Sequence, residues 1–187
     1  MSTGKRPALK PEAAAMRLTR KSLQIKLLVF DVDGTLTDGS LFYGPEGETM
    51  KQFHVRDGHG IVMARLANVP TALLTARSSK ILEVRAAELK IAHVMQGQRN
   101  KGEALAALCA QLKLAPERVA YMGDDVNDIP AMKLAGFASC PADAVDEVKQ
   151  VVDYVAAKNG GHGAAREVIE LLLKWSQRWQ GAMDQMR

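Results

Sequence analysis

Two acidic clusters, each placed just after an apolar run, hold the residues of this chain that could do chemistry. The first is Asp31-Val32-Asp33-Gly34-Thr35, after Ile25-Lys26-Leu27-Leu28-Val29-Phe30. The second is Gly123-Asp124-Asp125-Val126-Asn127-Asp128, after Arg118-Val119-Ala120-Tyr121-Met122. Helix capping would account for one aspartate of the second cluster, hardly for three. In a strand Asp31 and Asp33 would point to the same side. Carboxylates held that close repel unless one is protonated or a cation sits between them. A hard divalent cation with oxygen ligands, Mg²⁺ above all, suits such a site. Two further residues fit an anionic ligand. Thr75 ends an apolar run beside the start of a helix, where a hydroxyl can donate to a phosphoryl oxygen. Lys101 opens another helix, an electrostatically poor place for a cation unless carboxylates or phosphate compensate it.

The runs that carry these residues read as strands buried on both faces, the mark of a parallel sheet. Besides the two above, Pro70–Thr75, Ala92–Met95 and Ala135–Pro141 have the same character. Helices are expected over about 12–23, 58–68 with Asp57 as N-cap, from Ser79 to about Lys90, 101–113, 143–149 and 164–180. Strands alternating with helices predict a Rossmann-like, three-layer α/β fold with right-handed crossovers. In such folds ligands bind beyond the carboxyl ends of the strands, where both acidic clusters fall. Leu41-Phe42-Tyr43 and Thr49–Val55 flank the turn Gly44-Pro45-Glu46-Gly47-Glu48, a β-hairpin signal over about residues 40–55. Leu41, Phe42, Tyr43, Met50 and Phe53 would be exposed on it, which favours burial in an oligomer. Arg56 beside a helix N-terminus forms a natural anion site. Asn159–Gly163 reads as a flexible glycine stretch opening the C-terminal helix.

Composition narrows the function classes. Hydrophobic residues make up 47% and charged residues 25%, an ordinary globular balance. No run of about 18 apolar residues exists and the N-terminus has no apolar leader region, so neither a membrane helix nor secretion is expected. Cys109 and Cys140 match no metal or redox spacing and read as core residues in a reducing cytoplasm. The net charge of +4 owes much to Lys5, Arg6, Lys10, Arg17, Arg20, Lys21 and Lys26, opposed by Glu12 alone. A solvated, mobile basic segment over residues 1–22 is expected. No aromatic stacking pattern accompanies it, so nucleic acid is not the expected partner. The remainder, residues 23–187, reads as one domain ending in a tail and helix over about 158–187.

The four signals resemble, in order, the motifs of the haloacid dehalogenase superfamily: Asp31/Asp33, Thr75, Lys101 and Gly123-Asp124-Asp125-x-x-Asp128. The chain has no room for a large cap domain. The hairpin, the stretch Phe53-His54-Val55-Arg56-Asp57-Gly58, Arg77 with Arg85, and Gly160-Gly161-x-Gly163-Ala164-x-Arg166-Glu167 narrow the resemblance. They are similar to the capless, tetrameric 3-deoxy-D-manno-octulosonate 8-phosphate phosphatases, which serve lipopolysaccharide inner-core synthesis. The resemblance implies that Asp31 attacks phosphorus to form an aspartyl-phosphate and that Asp33 acts as general acid and then base. It implies Mg²⁺ on the Asp31 carboxylate, the Asp33 main-chain carbonyl and Asp124, with Asp125 and Asp128 behind them. Thr75 and Lys101 would neutralise the phosphoryl oxygens. Asp33, Lys101, His54, Val55, Arg56, Asp57, Gly58, Arg77 and Arg85 would contact the sugar acid, and the glycine tail would fold as a lid over a neighbouring subunit's site.

Three positions depart from the resembled pattern: Val62 and His162 where arginine is frequent, and Ala76 where glycine is. None touches the chemical core, but the first two remove positive charge from the substrate side. A nonulosonate 9-phosphate or another small phosphate ester is therefore the alternative substrate. A catalytically silent homologue acting in assembly is the alternative from another class, and the intact Asp31, Asp33, Lys101 and Asp124 argue against it.

Overall fold

In the computed structural model residues 24–186 are described. The basic segment over 1–22 and the helix expected over 12–23 lie outside the described residues. All four residues of strand β1 (Leu27–Phe30) are buried. Successive side chains enter opposite layers: Leu28 and Phe30 join one apolar cluster, Leu27 and Val29 the other. A strand wanted by two cores needs helices on both sides, which is why it reads as a continuous apolar run.

In chain order the remaining elements are strands β2 (Phe42–Gly44) and β3 (Gly47–Met50), helix α1 (Val55–Leu66), β4 (Thr71–Leu74), α2 (Lys80–Glu88), β5 (His93–Met95), α3 (Lys101–Gln111), β6 (Val119–Met122), α4 (Ile129–Leu134), β7 (Phe137–Cys140), α5 (Asp146–Lys149), β8 (Tyr154–Val155), α6 (Ala164–Trp175) and α7 (Trp179–Asp184). Six strands form one sheet in the order β5-β4-β1-β6-β7-β8, every pair parallel. Side chains of α1, α2, α6 and α7 build the core on one face, and those of α3, α4 and α5 build it on the other. The strand order reverses on either side of β1, so a crevice opens beyond the carboxyl ends of β1 and β6. The insertion after β1 is only the antiparallel pair β2-β3, and no large cap domain is present among the described residues. No helix among them is long and apolar enough to cross a membrane.

Several local expectations are corrected. Helix α1 begins three residues early, and its N-cap is His54, whose side chain accepts from Arg56 N. Asp57 lies inside the first turn, buried, and caps a different helix: it accepts from Gly163 N at 3.1 Å and Arg166 N at 2.7 Å, at the start of α6. Phe53 is not an exposed hairpin residue but packs against the core. The single helix expected over 164–180 is broken. Ser176 Oγ returns to Leu172 O at 2.7 Å, Gln177 takes a left-handed φ of 59°, and the chain restarts at Trp179. Helix α7 then folds back, with Arg178 Nη1 donating to Ile25 O at 3.1 Å.

Candidate active site

Asp31 follows the last residue of β1 and stays tied to the sheet, its N–H donating to Met122 O at 2.9 Å. The chain then turns about the carbonyl of Val32, which accepts from the N–H groups of Thr35, Leu36 and Thr37. Gly34 holds a left-handed φ of 88°, and a Cβ there would run into the Asp124 carboxylate. Glycine is thus what lets the second acidic cluster reach the first. Thr35 Oγ1 donates to Asp124 Oδ1 at 3.0 Å across the same gap.

One carboxyl oxygen each from Asp31, Asp124 and Asp128 lies within 4.8 Å of the others. Lys101, first residue of α3 and 1% exposed, sits among them: its Nζ is 2.9 Å from Asp31 and 2.6 Å from Asp128. Burial works against this ammonium, but the two carboxylates raise its pKa above the ordinary lysine value. The unfavourable helix position expected for Lys101 is thus compensated by carboxylates. Asp128 is fully committed. Its Oδ1 accepts from Lys101 Nζ and from Tyr121 OH at 2.6 Å, and its Oδ2 from the N–H groups of Asp124 at 3.0 Å and Asp125 at 3.2 Å. With four donors on two oxygens it is suited to placing its neighbours and poorly suited to binding a metal. Asp125 caps the turn before α4 through Val126 N.

Three carboxylates against one ammonium leave the pocket short of positive charge. Burial, and then the charge of Asp128, pushes the Asp31 carboxyl up to about 8. The same two causes push Asp124 up to about 6, against the Thr35 hydrogen bond and Lys101. A divalent cation bound by oxygen relieves that excess, so the donor set fits Mg²⁺.

The Asp33 side chain goes elsewhere. It does not share the strand-face geometry expected of Asp31 and Asp33, because the backbone has already turned. Its Oδ1 contacts Lys51 Nζ and its Oδ2 lies 3.6 Å from Arg77 Nε. Lys51, from the hairpin stem, also pairs with Glu48 at 2.9 Å. Burial opposes its charge, but the two carboxylates raise its pKa. Arg77 Nη2 lies 3.5 Å from Glu48 Oε1 and donates to Tyr43 OH at 2.6 Å. Glu48 also receives the hydroxyl of Ser79, the N-cap of α2.

Thr75 is buried one residue beyond β4, and its Oγ1 accepts from Arg77 N at 3.4 Å. Arg77 and Arg85 occupy different surroundings. Arg85 pairs with Glu88 at 2.7 Å, lies 5.7 Å from the Phe53 ring centroid, and fills the space a Cβ at Gly58 would need. With Phe53, His54 and Gly58 it lines a small cavity between α1 and α2. Val55 and Arg56 are exposed on the rim. Asp57 is buried, and its two oxygens accept one N–H each from the start of α6. The glycine stretch is not loose either: Gly160 and Gly161 are buried, and Gly161 N donates to Thr35 O at 3.1 Å. A Cβ on Gly160 would strike the Gly34 carbonyl. These glycines brace the Asp31–Gly39 loop of their own chain.

Residues 64–168 match the family model for haloacid dehalogenase-like hydrolases. The chain is 44% identical over 167 residues to the 3-deoxy-D-manno-octulosonate 8-phosphate phosphatase of Salmonella typhi, covering 89% of this chain and 87% of that one. The chain belongs to the haloacid dehalogenase-like hydrolases. Among solved members, the octulosonate 8-phosphate phosphatase of Yersinia pestis is similar with a TM-score of 0.85 and 40% identity, covering 88% of this chain and 89% of that one. The Moraxella catarrhalis enzyme is similar with a TM-score of 0.87 and 38% identity, covering 91% and 98%, and was solved with magnesium, phosphate and KDO.

Sequence reasoning passed over Lys51, Glu48, Ser79 and Tyr121. Lys51 and Glu48 sit in a hairpin that reads as surface, and Tyr121 lies in a strand where an aromatic reads as core. The one available signal was a glutamate closing the turn and a lysine three residues later in the strand-like run, too common to be specific.

Proposed function

We propose that this chain is a Mg²⁺-dependent phosphatase that hydrolyses 3-deoxy-D-manno-octulosonate 8-phosphate through a phosphorylated aspartate. The observation that carries the reading is the gathering of Asp31, Asp124, Asp128 and Lys101 at the switch point between β1 and β6. The substrate follows from the identity to the Salmonella and Yersinia enzymes over nearly the whole chain.

Asp31 is the nucleophile: its carboxylate attacks phosphorus in line and the ester P–O bond breaks. Asp33 gives a proton to the departing sugar oxygen, then takes one from the water that attacks the aspartyl-phosphate. Lys101 and Thr75 offset charge on the phosphoryl oxygens. The Asp31 carboxylate, the Asp33 main-chain carbonyl and Asp124 would hold Mg²⁺, which would supply charge neutralisation and alignment of the phosphoryl group. Asp128 and Asp125 hold this shell in place. Arg77 and the rim around residues 54–58, with Arg85, face the sugar acid, where a guanidinium pairs well with a carboxylate. The exposed Leu41, Phe42, Tyr43 and Met50 are covered in a homotetramer working in the cytoplasm. Residues 23–187 form its single catalytic domain.

Phosphate release by Asp31→Asn tests the reaction: it falls to background while circular dichroism stays that of wild type. Release as fast as wild type would end the assignment. A panel of octulosonate 8-phosphate, nonulosonate 9-phosphates and hexose phosphates tests the substrate, and equal kcat/KM across it would leave only a general phosphatase.

A further inference from the structure

Lys51 belongs to none of the motifs, yet it is one of the buried charged residues among those described, with a side chain 2% exposed. A buried ammonium persists only when paired. Glu48, three residues earlier on the same hairpin, would suffice to pair it, and a lysine that served only to anchor the hairpin would need no more. Instead Lys51 reaches back to the catalytic loop and takes Asp33 Oδ1 as its second partner. Among the described residues, Lys51 and Arg77 are the charged groups that pair with the Asp33 carboxylate. Glu48 Oε1 lies within ion-pair distance of both cations, 2.9 Å from Lys51 and 3.5 Å from Arg77, and the other carboxyl oxygen of Glu48 accepts the hydroxyl of Ser79 at the start of α2.

We infer that Lys51 is a positioning residue for Asp33, so that the hairpin insertion sets the rotamer from which Asp33 exchanges its proton with the reacting ester. The inference rests on the reading of Asp33 as proton donor. The step starts from Asp33 protonated: as the Asp31 oxygen bonds to phosphorus and the ester P–O bond breaks, that proton moves to the ester oxygen, and the carboxylate left behind is the form that pairs with Lys51 and Arg77. The sugar leaves as a neutral alcohol and Asp33 is left as carboxylate. With p-nitrophenyl phosphate the same bond breaks, but the electron pair stays on a stable phenolate that needs no proton. A misplaced Asp33 therefore harms the alkyl ester more than the aryl ester. A merely structural loss of the hairpin harms both alike.

The test compares kcat/KM of the Mg²⁺-loaded enzyme for octulosonate 8-phosphate and p-nitrophenyl phosphate. This ratio reports the steps through alcohol release and leaves aside hydrolysis of the aspartyl-phosphate, common to both esters. The variants are Lys51→Met, Lys51→Arg, Asp33→Asn and the double variant Lys51→Met/Asp33→Asn. Lys51→Met is expected to lower kcat/KM for the sugar phosphate by about 30-fold or more, within the range of general acid catalysis and of a small misplacement. The loss on the aryl ester should be at least about fivefold smaller, Lys51→Arg should restore part of the difference, and in the Asp33→Asn background Lys51→Met should add less than about threefold. If Lys51→Met does not fold by circular dichroism, Lys51→Gln is read by the same criteria. Equal losses on the two esters, or full additivity with Asp33→Asn, would overturn the positioning role while leaving the phosphatase reading intact. A wild-type enzyme active on neither ester, or an Asp33→Asn variant with no ester dependence, would instead remove the proton-donor reading and this inference with it.

Discussion

Replacing Asp128 by asparagine is the sharpest probe of how the site is built, because it keeps the shape and removes the charge. Asp128 is completely buried and accepts two donors on each oxygen: Lys101 and Tyr121 on one, the N–H groups of Asp124 and Asp125 on the other. An asparagine has one carbonyl oxygen and one NH₂. Facing the N–H groups of Asp124 and Asp125, its NH₂ leaves both without that acceptor; facing Lys101 and Tyr121, it loses the Lys101 bond and turns the Tyr121 hydroxyl into an acceptor. If the NH₂ faces Lys101, the ammonium keeps Asp31 alone. Removing one partner of a buried pair costs about 3–5 kcal/mol. For a domain of this size each kcal/mol moves the melting temperature by roughly 2–4 °C, so Asp128→Asn should melt about 6–20 °C lower. Tyr121→Phe removes only one of the four donors and leaves the charge paired, at a cost of about 1.5–3 kcal/mol for a hydrogen bond to a charged group. Thermal melts of the two variants, followed by circular dichroism, read the order directly. An Asp128→Asn protein that melts with wild type, or above Tyr121→Phe, would refute the view that Asp128 holds the cluster together.

Other predictions follow from the same geometry. Gly160→Ala should destabilise by about 1–3 kcal/mol and lower kcat, since its methyl meets the Gly34 carbonyl next to Asp124; unchanged melting and rate would show that the tail does not brace the loop. Asp31 is held up to about 8 and Asp124 up to about 6, so the metal-free native protein keeps protons that the unfolded chain has released. Its stability is therefore lost as pH rises from about 4 to about 8, and Mg²⁺ should raise the melting temperature more at the upper end of that window. Melts in chelator and in Mg²⁺ check this, and a Mg²⁺ effect independent of pH would contradict it. The proposed homotetramer predicts that wild type sediments as a tetramer and Phe42→Asp with Met50→Lys as a monomer in analytical ultracentrifugation at micromolar concentration, whereas a monomeric wild type would remove that proposal and an unchanged variant would remove the hairpin from the contact.

The middle of the sheet was legible because β1, β4, β6 and β7 are buried on both faces and carry few polar positions to confuse the period. The two acidic strand ends were legible for the same reason: a carboxylate ending an apolar run has few structural uses. What stayed hidden depends on contacts between residues far apart in the chain. Asp57 looks like a local cap, but its partners are the N–H groups of Gly163 and Arg166, more than a hundred residues away. Asp33 looks paired with Asp31 by spacing, yet one backbone turn at Val32 sends it to Lys51 instead. The glycines at 160 and 161 signal freedom in a sequence, and here they signal close approach, since they leave room for the backbone of the Asp31–Gly39 loop. The break at Gln177 rests on a left-handed residue that is not glycine, which pattern reading does not anticipate.

The proposed mechanism requires Asp31 to carry the phosphoryl group, and chemical trapping of that group tests it most directly. Enzyme turning over octulosonate 8-phosphate with Mg²⁺ is quenched and reduced with borohydride, which converts an acyl phosphate to the corresponding alcohol, and the digest is read by tandem mass spectrometry. The expected result is reduction at residue 31 alone, dependent on both substrate and Mg²⁺. An unmodified Asp31 alongside continuing phosphate release, or reduction at another carboxylate, would contradict the mechanism.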